Sequence, residues 1–90
     1  MSDQQPEADH LIWSMEHNAW WCADHCGYST SILLAGLYTK AAADEVVAGS
    51  RGRNERAVPI DSVYLDIRNA VLRAREVLEA GQRLLAVATR

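Results

Sequence analysis

From position 10 the chain alternates. His10-Leu11-Ile12-Trp13-Ser14 places Ile12 on one side of an extended segment and Leu11 and Trp13 on the other, which predicts a half-buried strand. Met15-Glu16-His17-Asn18 is polar and ends in an asparagine that tolerates the left-handed conformation, so a turn is expected there. Ala19-Trp20-Trp21-Cys22 then reads as the returning strand of an antiparallel hairpin. Adjacent strand residues point to opposite faces, so one of Trp20 and Trp21 enters the core while the other covers a face or lies exposed. Asp24-His25-Cys26-Gly27 closes a second turn, with Gly27 free to take positive φ.

Residues 30–38 contain the run Ile32-Leu33-Leu34, whose lack of period leaves a short helix and an irregular strand both open. Thr39 is a good N-cap for Lys40-Ala41-Ala42-Ala43-Asp44-Glu45-Val46-Val47-Ala48, a short alanine-rich helix stopped by Gly49. Ser50 to Glu55 is a charged loop. Ala57-Val58-Pro59-Ile60 predicts a third short strand, at a sheet edge because Pro59 cannot donate to a ladder. Asp61 or Ser62 then caps a long helix in which Val63, Ile67, Ala70, Val71, Ala74, Leu78, Gly81 and Leu85 form one apolar stripe.

The fold class predicted is therefore α+β: a small N-terminal antiparallel hairpin, a third short strand, one short helix, and a long amphipathic C-terminal helix covering the sheet. Residues 1–9 are polar and predict a flexible tail, leaving 10–90 as a single α+β domain. The final helix, from Ser62 to Ala88, would run roughly 40 Å, against a diameter of about 30 Å for a compact domain of this length. It must overhang the domain or break near Gly81. An overhang exposing Leu78, Leu84 and Leu85 predicts a homodimer through this helix.

Charge changes the picture little. The net charge is −3 over the whole chain. Asp3, Glu7, Asp9, Glu16, Asp24, Asp44 and Glu45 precede position 51 with Lys40 as the one base there, whereas all eight arginines follow. This asymmetry can steer a partner but is too sparse for a mimic of DNA, and no nucleic-acid motif accompanies the arginines. Arg51, Arg53 and Arg56, with Glu55 among them, read as a solvated basic loop, so nucleic-acid binding is not expected. The opening residues have neither the basic start nor the apolar run of a secretory signal, and no stretch is long enough to span a bilayer. A cytoplasmic location, no membrane partner and reduced cysteines are the expectation.

His17, Cys22, His25 and Cys26 lie within ten residues and supply zinc-type donors. Structural zinc sites pair one such knuckle with a distant second, and here the only other candidate is His10, so no metal and no cofactor are expected. The same cysteines and histidines lack a nucleophile elbow or an oxyanion donor, and Gly49-x-x-Gly52 is too sparse to cradle phosphate. The chain is expected to be a binding module rather than an enzyme.

Five of the six large aromatics lie between Trp13 and Tyr38. A core accounts for most of them, and the outward-facing tryptophan with Tyr28 or Tyr38 forms a candidate binding anchor. The candidate partner-binding set is Trp20, Trp21, Tyr28, Tyr38, Asp24 and Glu16. The order Trp20-Trp21, Gly27-Tyr28-Ser29-Thr30, Ala35-Gly36-Leu37-Tyr38-Thr39 and then a small helix resembles a pattern of short accessory proteins from bacteriophages and prophages. The resemblance covers residues 11–60, and Ser29 stands where that pattern more often has Thr. It implies a gene product that meets a host protein in a bacterial cytoplasm. The concrete expectation is a stoichiometric inhibitor of a host defence complex, in the manner of anti-CRISPR proteins. The alternatives are a self-associating phage regulatory or assembly protein and a small metal-stapled nucleic-acid-binding protein.

Overall fold

A computed structural model describes residues 7–50 and 54–90. The elements run β1 (Ala8–Ser14), β2 (Ala19–Trp21), a 3-10 turn (Ala23–His25), β3 (Tyr28–Ser29), a 3-10 turn (Ile32–Leu34), β4 (Tyr38–Thr39), α1 (Lys40–Gly49), β5 (Glu55–Pro59), a 3-10 turn (Ile60–Val63) and α2 (Tyr64–Ala88). The class is α+β, with the hairpin, the short helix and the long terminal helix in the expected order. The predicted tail begins in residues 1–6, which lie outside the described residues, whereas Ala8 and Asp9 already belong to β1.

β1 organises the sheet. Its register with β5 runs antiparallel from His10 opposite Pro59 to Ser14 opposite Glu55. Its other edge is shared, with β2 pairing at Trp13 and Ser14 and β4 pairing at Ala8 and His10. β3 adds outside β2. β5 has no second partner among the described strands, so Pro59 does lie on an edge.

The core sits on the Ile12 face. Ile12, Tyr38 and Ala43 are its buried centre, with Trp21, Ala42, Val46 and Ala57 packed around them. α1 supplies this cover, and small residues such as Ala42 and Ala43 bring its backbone close to the sheet. Thr39 caps α1 as expected, its hydroxyl accepting from Ala42 N at 3.1 Å. Gly49 is the last helical residue, one position earlier than a terminating cap, and Ser50 closes the helix instead.

The role expected of the long helix needs correction. α1, not α2, covers the sheet, while α2 packs on the turns Ile32–Leu34 and Ile60–Val63. None of its residues is buried. It overhangs the domain without breaking at Gly81, and the radius of gyration of 16.9 Å far exceeds the roughly 12 Å of a compact chain this long. The capping signals Asp61 and Ser62 are also used differently. Both lie in the preceding 3-10 turn, where the Ser62 hydroxyl donates to Pro59 O at 2.7 Å, and α2 starts at Tyr64 without a side-chain cap.

Candidate functional site

Two surfaces concentrate exposed chemistry: the aromatic end of the hairpin and the free face of α2. The aromatic end is built by turns that the sequence stitches from within. Ser14 is fully buried at the end of β1, and its hydroxyl accepts from His17 N at 3.1 Å and bonds His17 Nδ1 at 3.1 Å. Asn18 takes a φ of 49°, as its residue type allows. Met15 N donates to Asn54 O at 2.7 Å, tying this turn to the start of β5. His17 is thereby held with its ring stacked on Tyr28, centroids 3.9 Å apart at an interplanar angle of 13°. Tyr28 in turn meets the edge of Trp21 at 5.8 Å, and Trp21 meets His25 at 5.2 Å.

The adjacent tryptophans separate as strand geometry requires. Trp21 lies on the core side with Ile12, whereas Trp20 faces the other side and packs edge-to-face on Trp13 at 4.8 Å. Both are half-buried. Trp21 Nε1 is buried and has no hydrogen-bond partner among the described residues.

The loop between β2 and β3 is the most constrained segment. Asp24 and His25 both take a φ of 57°, an arrangement that costs roughly 1–2 kcal/mol per non-glycine residue. Tyr38 holds it there, donating its hydroxyl hydrogen to Cys22 O and accepting from His25 N at 3.1 Å. Gly36 lets the two chain segments meet: its N–H donates to Trp21 O at 2.8 Å. A Cβ at this position would lie 2.6 Å from both Ala23 Cα and Ala23 N. The Ala35-Gly36-Leu37-Tyr38 stretch therefore braces the strained loop from behind. Gly27, with a φ of 98°, returns the chain to β3.

Of the candidate partner-binding residues, Tyr28 is 43% exposed, and Glu16 and Asp24 are exposed too. Trp20 and Trp21 are half-buried. Tyr38 is only 7% exposed and spends its hydroxyl inside the fold, so it positions the loop rather than presenting a surface. The sequence presents His17 as a metal donor or a base beside a cysteine, not as part of an aromatic surface. Its stack on Tyr28 could have been anticipated from the Ser14-x-x-His17 spacing, which lets a buried hydroxyl fix the turn.

Among the described residues no three His, Cys, Asp or Glu side chains come together as a metal site, and Cys22 and Cys26 are free. His17, Cys22, His25 and Cys26 are thus not gathered into a ligand set. Asp9 bonds His10 Nδ1 at 2.8 Å, and Lys40 bonds Asp44 at 2.8 Å in a shallow recess lined also by Glu7 and Ala41. The Asp44 hydrogen bond, followed by its charge, raises the Lys40 pKa above its ordinary value and outweighs the opposing desolvation. Arg51 and Arg53 of the predicted basic loop lie outside the described residues. Arg56 is exposed and reaches Met15 Sδ at 3.9 Å. No family model, characterised protein or solved structure matches the chain.

The second surface is α2. Val77 is 73% and Leu84 72% exposed, and Leu78, Leu85 and Val87 are exposed with them. The residues expected at a dimer interface, Leu78, Leu84 and Leu85, thus share one open apolar face. No helix among the described residues is long and apolar enough to cross a membrane.

Proposed function

We propose that this chain is a non-catalytic binding factor that acts by stoichiometric contact with a protein partner through its aromatic end. The observation that carries the reading is the braced loop. Two consecutive non-glycine residues, Asp24 and His25, are held in a strained conformation beside an exposed Tyr28–His17 stack. Such strain persists only where surrounding structure enforces it, and rigid aromatics flanked by acids suit an anchor with little entropy to lose. Glu16 and Asp24 favour a basic partner surface. With the resemblance to phage accessory proteins, the partner proposed is a host defence complex of the CRISPR effector type, met in the bacterial cytoplasm at a basic nucleic-acid channel.

Titrating purified protein into reconstituted CRISPR interference reactions tests this reading. Loss of interference by wild type, and its return with Tyr28→Ala or Asp24→Lys, would support it. Intact interference against every system type assayed would remove the inhibitor assignment. The open apolar face of α2 favours a second reading, self-association through that helix, as in a regulatory or assembly protein. The two readings use different surfaces and are compatible.

A further inference from the structure

The apolar face of α2 is ordered by size. Read in sevens, one row holds Tyr64, Val71, Leu78 and Leu85, and the row beside it holds Ile67, Ala74, Gly81 and Ala88. The alternation of four- and three-residue steps is the 3.5-residue period that keeps a seam between two helices in register. Beyond Ile67 the first row is large and the second small. In a parallel pair each layer sets a row against itself, so crowded Leu78 layers would alternate with empty Gly81 layers. In an antiparallel pair each layer sets one row against the other, and large meets small throughout, which fills the seam evenly.

We infer that the free part of α2, Val71–Ala88, pairs antiparallel with the same segment of a second copy, with Leu78 of each helix seated over Gly81 of the other. This rests on the self-association reading and specifies its geometry. The two-fold axis falls between Glu79 and Ala80, and the remaining layers set Val71 against the partner's Ala88 and Leu85 against the partner's Ala74. Ile67 and Ala70 are half-buried and Val71 through Glu79 exposed, which puts the contact with Ile32–Leu34 at the beginning of α2 and leaves the rest free.

Gly81 is the independent observation. Glycine in a helix interior is destabilising, and a Cβ there would meet nothing within 4 Å in the protomer. Its own fold gives no reason for it, whereas a partner's leucine does. An open depression of about 560 Å³ lies on this face, lined by Leu78, Gly81, Leu85 and Ala88 among others.

The flanks agree. In this register Val77 approaches the partner's Leu84, extending the apolar contact, and Arg75 approaches the partner's Gln82, so like charges do not meet. A parallel pair would instead bring Arg68 against Val63 and Arg75 against Ala70, with no carboxylate to pair. The segment is about 27 Å long, and two such faces bury on the order of 1,000 Å² in total, the lower bound for a specific interface. A second copy of this narrow, self-complementary face meets that bound with modest affinity.

The test combines sedimentation equilibrium with spin-label distances. Wild type is expected to be a dimer at tens of micromolar. Gly81→Leu, whose Cβ meets nothing within 4 Å in the protomer, is expected to weaken it at least tenfold while helicity by circular dichroism holds or rises. Nitroxides are placed singly at Glu79 and Arg90 in a Cys22→Ser, Cys26→Ser background whose wild-type mass is checked first. The expectation is a short separation at Glu79 and about 30 Å along the axis at Arg90. A monomer at all concentrations overturns self-association altogether. A dimer with similarly short separations at both positions keeps self-association and overturns the antiparallel seam. A dimer that Gly81→Leu leaves unchanged overturns the seat at Gly81.

Discussion

Replacing Gly36 by alanine probes the bracing of the aromatic end most directly. The added Cβ would sit 2.6 Å from Ala23 Cα and N and 2.8 Å from Cys22 C. Carbon contacts are comfortable at about 3.5–4.0 Å, so the two backbones must part by roughly 1 Å. Neither side can yield by turning a rotamer, because every clashing atom is main chain. Parting them stretches the Gly36 N–H to Trp21 O bond beyond its 2.8 Å and draws the Tyr38 hydroxyl away from Cys22 and His25. Overpacking costs about 1–3 kcal/mol and the hydrogen bond about 0.5–1.5 kcal/mol. Alanine returns about 0.4–1 kcal/mol by restricting the unfolded chain, since the φ of Gly36 is not in the left-handed region. The expected net loss is about 0.5–4 kcal/mol, centred near 2 kcal/mol. In a domain this size that lowers Tm by about 8–16 °C at the centre value. Urea denaturation followed by tryptophan fluorescence reads it, since Trp21 adjoins the displaced segment. A Gly36→Ala variant within about 0.5 kcal/mol of wild type would refute the close approach and, with it, the bracing of the loop.

The other expectations concern the same scaffold. Gly27→Ala meets no atom within 4 Å but must keep a φ of 98°, so a purely conformational loss of about 1–2 kcal/mol is expected in the same urea assay. Gly49→Ala has neither obstacle and is expected to stabilise by about 0.4–1 kcal/mol, read as a higher denaturation midpoint. Tyr38→Phe leaves Cys22 O and His25 N without their shared partner. A loss of about 1–3 kcal/mol is expected, with faster hydrogen exchange at the His25 amide. Thr39→Ala removes the cap on Ala42 N and should cost about 1 kcal/mol, checked by thermal melts.

The hairpin, α1 and the edge strand were legible because each rests on a local rule. Alternation placed Trp20 and Trp21 on opposite faces, threonine before an alanine run started α1, and proline confined β5 to an edge. What stayed hidden depends on partners distant in sequence. β4 is two residues long, and its pairing with Ala8 and His10 leaves no periodic trace in the run around Ile32-Leu33-Leu34. Two helices competed for one sheet, and the apolar stripe of the long one could not say that the alanine-rich α1 would cover it instead. The small residues Ala42 and Ala43 decide it by permitting a close approach, and α2 is displaced to the turns. At the aromatic end, the tryptophans and tyrosines stood out in sequence as surface candidates. Only their three-dimensional contacts separate Tyr28, which is presented, from Tyr38, which is spent on holding Asp24 and His25.

The single central strand has a consequence for how the molecule assembles. β1 and β2 close over a short turn, a microsecond event, but the outer edge of β1 waits for β5, more than forty positions downstream. During synthesis at about 5–20 residues per second, that edge stays open for seconds after the hairpin could first form. Its unpaired amides are then a template for another chain's strand, a hazard that β5 ends by docking with Arg56 and Glu55 at its ladder and Pro59 at its margin. Slow translation or truncation before residue 59 should therefore yield aggregate rather than a smaller folded unit, and a pelleting assay on truncated chains reads this directly.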